Sequence, residues 1–491
     1  MFGPESVRRR WTVDEVTVTD PGIVKRAIGA AAIGNVTEWY DFGVYGYLQT
    51  TIQGVFLPPD LEGPVGKVIV ASLFAVAFLV RPIGGFVLGP LSDKIGRNKV
   101  LAMTMIMMAL GTFAIGVLPS YAAIGLAAPF LLLACRLVQG FSTGGEYGNA
   151  MTFIAEYAPD RRRGFFGSLL EFGTFTGYLL GASTATVMTA VLTDEQVASW
   201  GWRLPFFVAL PLGFVGVYLR SKLADTPAFT AMEEKAEQEE KARKEKSRKE
   251  KGEFKRILTL WPNMLACIGL VLAWNVTNYM LTAYVPTYFP TIKELQGTGG
   301  VSELTSSVLQ IIVMAVCLAL IPVIGRLSDR FGRKAIIRIG SAALVVLAVP
   351  SVLLIRADGL FTILCGLLIM GLSLICFSAT MPSTLPALFP TAVRAGALSI
   401  AFNISISLFG GTTSTVMASL INATHDLMWP AYYLIIAGVI GLVSVHWIKE
   451  SNGRHLWGSS PSAESREEAH EIVEDLNQKA AAAEPEPAGA R

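Results

Sequence analysis

Charge is what this sequence has least of. Asp, Glu, Lys and Arg make up 16% of its 491 residues, against about 25% in an average soluble domain. Such a chain cannot clothe a surface of this size in water, and the lipid bilayer is left as its solvent. Histidine is scarcer still. His425, His446, His455 and His470 fall in a late loop, near the end of the last apolar segment or in the tail, which excludes a histidine-based catalytic or metal centre within the apolar segments. The cysteines, Cys135, Cys267, Cys317, Cys365 and Cys376, are odd in number, lie inside apolar stretches and show no CxxC or Cys/His spacing. They read as small packing residues, not as a disulfide frame or a zinc site. A phosphate-binding G-x-x-x-x-G-K-[ST] loop is missing, so ATP hydrolysis is excluded. The opening MFGPESVRRRWTVDEVTVTD contains no apolar run with a small-residue cleavage site; no signal peptide is expected, and the first apolar segment itself directs insertion. Nothing points to a metal, a bound cofactor or a nucleic-acid partner.

What is present is apolar. Hydrophobic residues make up 52% of the chain, and mean hydropathy is +0.50. Apolar segments run at 26–56, 66–90, 100–118, 122–150, 164–192, 202–220, 257–290, 303–325, 335–356, 359–384, 395–421 and 430–448. Each is long enough for one crossing, which takes about 20 residues. Lipid offers the backbone no partners, and short alternating strand patterns are missing, so the crossings are helices. The expected fold class is an all-α membrane protein of twelve transmembrane helices. An even number puts both termini on one side. Arg8, Arg9, Arg10, Lys25 and Arg26 precede the first segment, and Lys94, Arg97, Lys99, Arg161, Arg162, Arg163, Arg326, Arg330, Arg333 and Lys334 fall at junctions on the same side. The opposite loops hold mainly Lys67, Lys293 and Arg356. The positive-inside rule therefore places both termini in the cytoplasm.

The chain divides in two. Residues 1–25 form a cytoplasmic arm, 26–220 a six-helix bundle, 221–256 a charge-dense cytoplasmic linker, 257–448 a second six-helix bundle, and 449–491 a cytoplasmic tail. The linker interleaves Glu with Lys and Arg, as a solvated connector does; contact with anionic lipid is the other reading of its later basic cluster. The halves repeat each other. Gly89-Pro-Leu-Ser-Asp93-Lys-Ile-Gly96-Arg97-Asn-Lys99 follows the second segment, and Gly325-Arg-Leu-Ser-Asp329-Arg-Phe-Gly332-Arg333-Lys334 follows the eighth. Likewise Pro159-Asp-Arg-Arg-Arg163 follows the fourth and Pro390-Thr-Ala-Val-Arg394 the tenth. Parallel repeats of this kind rock about a site at the midplane.

The paired G-x-L-S-D-x-x-G-R-x-K loops resemble the signature of the major facilitator superfamily, and Arg136-Leu-Val-Gln139-Gly140 resembles its second motif. Gly34-Asn-Val-Thr-Glu38-Trp39-Tyr40-Asp41-Phe42-Gly43, Gly140-Phe-Ser-Thr-Gly144-Gly145-Glu146-Tyr147, Ala155-Glu156-Tyr157-Ala158-Pro159 and Ser383-Thr-Leu-Pro386-Ala-Leu-Phe389-Pro390 together look like the metabolite:proton symporter family. Asn275-Val-Thr-Asn278-Tyr279-Met280-Leu281, Ala401-Phe402-Asn403-Ile404-Ser405 and Pro430-Ala-Tyr432-Tyr433-Leu434 are most similar to its osmoregulatory branch, which imports proline and glycine betaine. The resemblance covers roughly residues 15–450. It implies proton-coupled symport of small zwitterionic osmolytes by alternating access in a bacterial cytoplasmic membrane, with the proton gradient in place of a cofactor. A sister activity on dicarboxylates or other organic acids, such as ketoglutarate or shikimate, is the alternative. The resemblance departs at the tail, where Ala469, Ile472, Val473 and Leu476 are too few for sustained heptads. A tail coiled coil is not expected, and the protein reads as a monomer.

Intramembrane charges are costly and hence functional candidates. Asp41 lies 15 residues beyond Arg26, which at 1.5 Å per residue is roughly 22 Å into the membrane; Glu38 is one turn earlier. The first helix carries a stripe of Asn35, Glu38, Phe42, Tyr45 and Gln49, and the fourth carries Arg136, Gln139, Thr143 and Glu146. By resemblance, helices 1, 4, 7 and 10 line the cavity. Asp41 or Glu38 is expected to pair with Arg136 and to carry the coupled proton, unless the pair is static packing; Glu146 and Glu171 are second choices. Arg136 suits a carboxylate in bidentate fashion. Trp39, Phe42, Tyr45, Trp274 and Tyr279 suit a quaternary ammonium through cation-π attraction, beside Gln139, Asn275 and Asn278. Asp93, Arg97, Asp329 and Arg333 are expected as gate residues, with solvated topogenic charge as the other reading. Arg81 is expected to snorkel or pair toward the cytoplasmic gate.

Overall fold

The computed structural model describes residues 10–19, 21–61, 64–95, 97–144, 146–224, 259–297, 301–391 and 393–482. The linker beyond Ala224 lies outside the described residues, as do the side chains of 92–99, among them Asp93 and Arg97, and that of Glu146.

Among the described residues, twelve helical spans run back and forth through the molecule. In the first half they are span 1 (Pro21–Tyr47, continued by Gln49–Phe56), span 2 (Pro64–Leu79 and Arg81–Ile95), span 3 (Arg97–Val117), span 4 (Ala127–Ser142 and Glu146–Tyr157), span 5 (Arg163–Val191) and span 6 (Leu204–Ala224). In the second they are span 7 (Trp261–Tyr279 to Val285–Gln296), span 8 (Glu303–Phe331), span 9 (Arg333–Ile355), span 10 (Leu360–Ser378 and Met381–Thr384), span 11 (Arg394–Ser405 to Thr413–Thr424) and span 12 (Trp429–Trp447). Among the described residues, eight helices are apolar and long enough to cross a membrane by composition alone. Span 1, which carries Glu38 and Asp41, is not one of them; polar side chains there have displaced apolar ones.

Local sequence explains the ends. Pro262 and Pro430 sit in the first turns of spans 7 and 12, where a missing N–H costs nothing. Ser302 caps span 8 by accepting the Thr305 amide. Gly332, at φ +96, makes the tight turn between spans 8 and 9, a conformation only glycine takes readily. Spans 7 and 11 each contain a π-helical turn, Met280–Tyr284 and Ile406–Gly410; such insertions redirect side chains and gather at functional sites.

The two termini share one face, called here the terminal face. On it the halves are joined where the Asp329 carboxylate accepts the amides of Gly164 (2.7 Å) and Phe165 (2.8 Å). Glu156 pairs with Arg394 at 2.6 Å. At mid-depth Ser407 donates to the Phe78 carbonyl (2.6 Å) and Asn403 to that of Gly144 (3.0 Å). On the opposite face Lys67 meets Glu294 at 2.7 Å, beside a cavity of ≈ 120 Å³ lined by Gln49, Gln53, Tyr284, Asn422 and His425.

The tail does something the sequence did not announce. Thr17–Val18 (β1) pairs in parallel with Ser462–Ala463 (β2). Val16, Ala463 and Ala469 form a small core with Val13, Ile472 and Val473. The apolar positions of the helix Arg466–Ala482 are thus spent on the N-terminal arm within one chain.

Candidate functional site

Two ion pairs sit at the centre of the first half. Span 1 turns Asp41 toward span 4, where Arg136 Nη1 donates to it at 3.3 Å and Gln139 Nε2 at 2.9 Å. Gln139 also accepts from Arg136 (2.8 Å) and donates to Thr112 of span 3 (3.0 Å). One turn nearer the terminal face, Glu38 accepts from Arg81 Nη2 of span 2 at 3.1 Å. All four charges are buried, Arg136 completely. At that depth an unpaired charge would be far costlier than a pair.

Arg81 therefore does not snorkel. A span taken to end near residue 90 put it close to the terminal face, but span 2 continues to Ile95 and leaves Arg81 midway along it, where it pairs with Glu38. Glu38 consequently faces Arg81, while Asp41 alone meets Arg136.

Aromatic rings fill the space around these pairs. The Arg81 guanidinium lies over Phe78 (4.7 Å), Phe42 (5.1 Å) and Trp39 (5.7 Å). That of Arg136 lies over Tyr45 (4.2 Å) and Phe42 (5.5 Å). Tyr45 and Phe42 thus brace arginines from below, with Tyr45 anchored by its hydroxyl to the Val70 carbonyl (3.4 Å). Span 7 closes the cage from the other half: Tyr279 is 5.0 Å from Phe78 and 6.4 Å from Trp39. Trp274 donates to Ser378 (2.9 Å) and approaches Tyr147 and Phe402. Asn275 donates to the Val271 carbonyl of its own helix (3.0 Å).

Several buried polar atoms in this cage have no hydrogen-bond partner among the described residues. They are Trp39 Nε1, Arg81 Nε and both Nε and Nη2 of Arg136. Buried polar groups are almost always satisfied. A concentration of exceptions around two cations and a ring cluster is what a polar ligand would complete.

The sequence reading brought Glu38, Asp41, Arg136, Gln139, Trp39, Phe42 and Tyr45 into this centre, and Trp274, Asn278 and Tyr279 to its far wall. It missed Phe74, Phe78, Tyr147, Tyr178 and Phe402. Their signal was available in part, since Tyr147 follows the Gly144-Gly145-Glu146 motif, but ring contacts between spans leave no trace in spacing. At the gate, Arg333 is buried and donates to Ser383 and Ser451 carbonyls (3.3 Å each) and to Ser451 Oγ (3.0 Å). It lies 3.7 Å from Asp329.

Comparison with known proteins agrees with this geometry. Residues 27–459 match the family described as sugar (and other) transporter. The proline/betaine transporter of Salmonella typhimurium is 45% identical over 466 residues, covering 94% of this chain and 91% of that protein. A putative proline/betaine transporter of Staphylococcus aureus is 41% identical over 456 residues, 93% of this chain and 95% of that one. Among solved structures, the major facilitator superfamily proton:xylose symporter XylE bound to 6-bromo-6-deoxy-D-glucose aligns with a TM-score of 0.68 at 17% identity, over 89% of this chain and 98% of that one. A partially occluded inward-open form of XylE from E. coli aligns at 0.67 and 18%, over 89% and 100%. The fold is theirs, and by the match along nearly its whole length the chain belongs to the sugar (and other) transporter family, a transporter and not an enzyme.

Proposed function

We propose that this protein imports small zwitterions of the proline and glycine betaine type by proton symport across a bacterial cytoplasmic membrane, with both termini in the cytoplasm and the monomer as the working unit. The observation that carries the reading is charge balance. Among the described residues Arg81 and Arg136 face Glu38 and Asp41 as two balanced pairs, walled by aromatic rings and by polar atoms that have no partner there. A zwitterion enters such a site without leaving a buried charge uncompensated. The names borne by the relatives point the same way.

Arg136 offers Nη2 and Nε, both without partners among the described residues, to the substrate carboxylate. Rings of Trp39, Trp274 and Tyr279 offer π faces to a quaternary nitrogen that can donate no hydrogen bond, each contact contributing about 0.5–2 kcal/mol. As the substrate carboxylate takes over Arg136, Asp41 loses its cation and accepts a proton. Glu38 is held by Arg81 in the same way. Separation of Asp329 from the start of span 5 would open the terminal face, with Arg333, Asp93 and Arg97 as further gate groups. The cycle draws on the proton gradient alone and needs no bound cofactor.

Arg81 is a second deep cation, and with Glu38 protonated it would serve a dianion. Uptake of proline, betaine, ketoglutarate and shikimate into proteoliposomes therefore decides between the two substrate classes. Proline and betaine should accumulate under an inward proton gradient, more so as medium osmolality rises, and a protonophore should abolish accumulation in the absence of ATP. Accumulation of the dicarboxylate alone would overturn the zwitterion reading.

A further inference from the structure

Besides Glu38, Asp41 and Asp160, which Arg163 holds, the described residues of the first half bury a fourth carboxyl group. Asp41 is held by Arg136 and Glu38 by Arg81, but Glu171 of span 5, only 2% exposed, is bonded to neutral groups. Among the described residues it accepts from the Tyr147 hydroxyl and from Thr174 (3.2 Å). Thr174 in turn accepts from Asn35 of span 1 (3.1 Å), and Asn35 also donates to the Leu170 carbonyl (3.2 Å).

Among the described residues, the groups around it do not supply a cation at its level. Span 1 presents Asn35 and Glu38, the latter engaged by Arg81. Span 4 presents Tyr147, and the turn Met381–Thr384 packs Ser383 near Gly167. Span 8 brings Asp329 and Arg326 only to the terminal end of span 5, at Gly164 and Phe165. Arg203, in the turn Gly201–Arg203 just before span 6, lies at the opposite end, bonded to the carbonyls of Gly116 and Leu118. The Glu146 side chain is outside the described residues.

Burying an ionised carboxylate is far more costly than burying the acid, and a cation is the usual compensation. Among the described residues Glu171 is the buried carboxyl of this half without one. Its position adds a second argument. Tyr147 stacks on Phe402 (5.2 Å) and lies edge-on to Trp39 (6.4 Å), so one neighbour of Glu171 is a wall of the cage. Two turns along the same helix, roughly 10 Å away, the amides of Gly164 and Phe165 hold Asp329 across the seam between the halves.

We propose that Glu171 is a further carrier of the transported proton, placed between the substrate cage and the terminal gate. This rests on the proton-symport reading. The group holds its proton as a carboxylic acid while the terminal face is closed. When Asp329 leaves the start of span 5, water reaches Glu171 from that side and takes the proton, leaving a solvated carboxylate that Tyr147 and Thr174 still donate to. A proton from the opposite side restores the acid in the next cycle, and no other bond changes.

The test uses the full chain in proteoliposomes with labelled proline as probe. Glu171→Gln, fixed in the neutral form, should lower accumulation driven by a pH gradient by about ten-fold or more while proline counterflow, which moves no net proton, stays within about two-fold of the parent. Glu171→Asp should retain both. Normal gradient-driven accumulation in Glu171→Gln overturns the proposal, and so does equal loss of accumulation and counterflow in a variant of parental melting temperature. If Glu171→Gln does not reach the membrane, Thr174→Val, which removes the other donor to Glu171, decides: reduced accumulation with intact counterflow supports the proposal, and unchanged accumulation or equal loss of both overturns it. Parent protein whose accumulation ignores the pH gradient would instead overturn the symport reading itself.

Discussion

Arg81 and Glu38 face each other at 3.1 Å with almost no exposure, so each residue's fate depends on the other. Removing one partner of a buried pair leaves a naked charge and costs about 3–5 kcal/mol. Arg81→Gln should therefore lower the melting temperature in detergent sharply, and the double change Arg81→Gln with Glu38→Gln should recover most of it. A double variant no more stable than the single would show that the pair is not what holds these residues. Arg136 behaves differently, because part of its guanidinium has no partner among the described residues. Arg136→Lys keeps the charge beside Asp41 but loses the planar fork, and lysine is no substitute at a bidentate site. Uptake of every zwitterion should weaken by roughly ten-fold or more, since a charged hydrogen bond contributes about 1.5–3 kcal/mol. Unchanged affinity for proline and betaine alike would remove Arg136 from the site. The depth of Asp41 and Arg136 was readable from residue counts along their helices. That of Arg81 was not, because it depended on where span 2 ends, and the charges after residue 90 hide a helix that runs on to Ile95.

At the scale of elements, the crossing of spans 2 and 4 sets the positions of both arginines. A Cβ on Gly140 would lie 2.0 Å from the Ala77 carbonyl oxygen, and one on Gly144 would lie 2.0 Å from that of Arg81. Backbone cannot yield as a side-chain tip can, and small residues at i and i+4 are how membrane helices approach closely. Gly140→Ala should separate the spans, shift Arg81 away from Glu38 and lower both melting temperature and transport, whereas Gly29→Ala, where nothing lies within 4 Å, should do neither. Wild-type behaviour of Gly140→Ala would mean that the crossing tolerates displacement. The spans themselves were legible, since lipid forces each apolar segment into a helix. The π-turns of spans 7 and 11 were not. Met280–Tyr284 and Ile406–Gly410 arise where Gly410 admits the Tyr279 ring, a tertiary fit with no local sequence signal.

The whole molecule is tied at its terminal face by a clasp that crosses the seam between the halves. Glu450 accepts the amides of Arg333 (3.1 Å) and Lys334 (3.0 Å) in the second half. Beyond it, the Ser462 amide donates to Asp160 (3.1 Å), and Arg161 and Arg162 pair with Glu471 (2.7 Å) and Glu464 (2.9 Å), all reaching the first half. The tail's few apolar residues were read only as too sparse for a coiled coil, because their partners, Val13 and Val16, lie at the other end of the chain. Exposed pairs such as those of Arg161 and Arg162 contribute about 0–1 kcal/mol each and fade with salt. A half-buried group adds a pH dependence. His455 packs edge-on against Trp11 at 5.6 Å. Burial holds its pKa below the usual histidine value, opposed by the Asp160 carboxylate and reinforced by Arg163. The released tail thus binds a proton more readily than the docked one, so docking strengthens as pH rises and weakens as pH falls through about 6.5, the ordinary histidine value. Trypsin should cut after Arg454 or Arg466 faster at about pH 5.5 than at about pH 7.5 once corrected for the protease's own profile, and His455→Gln should flatten the difference. Raised salt should speed cleavage at both pH values by screening the Arg161 and Arg162 pairs. A parent protein whose tail is equally resistant at both pH values, or a His455→Gln variant that keeps the full difference, would remove His455 from the clasp's energetics.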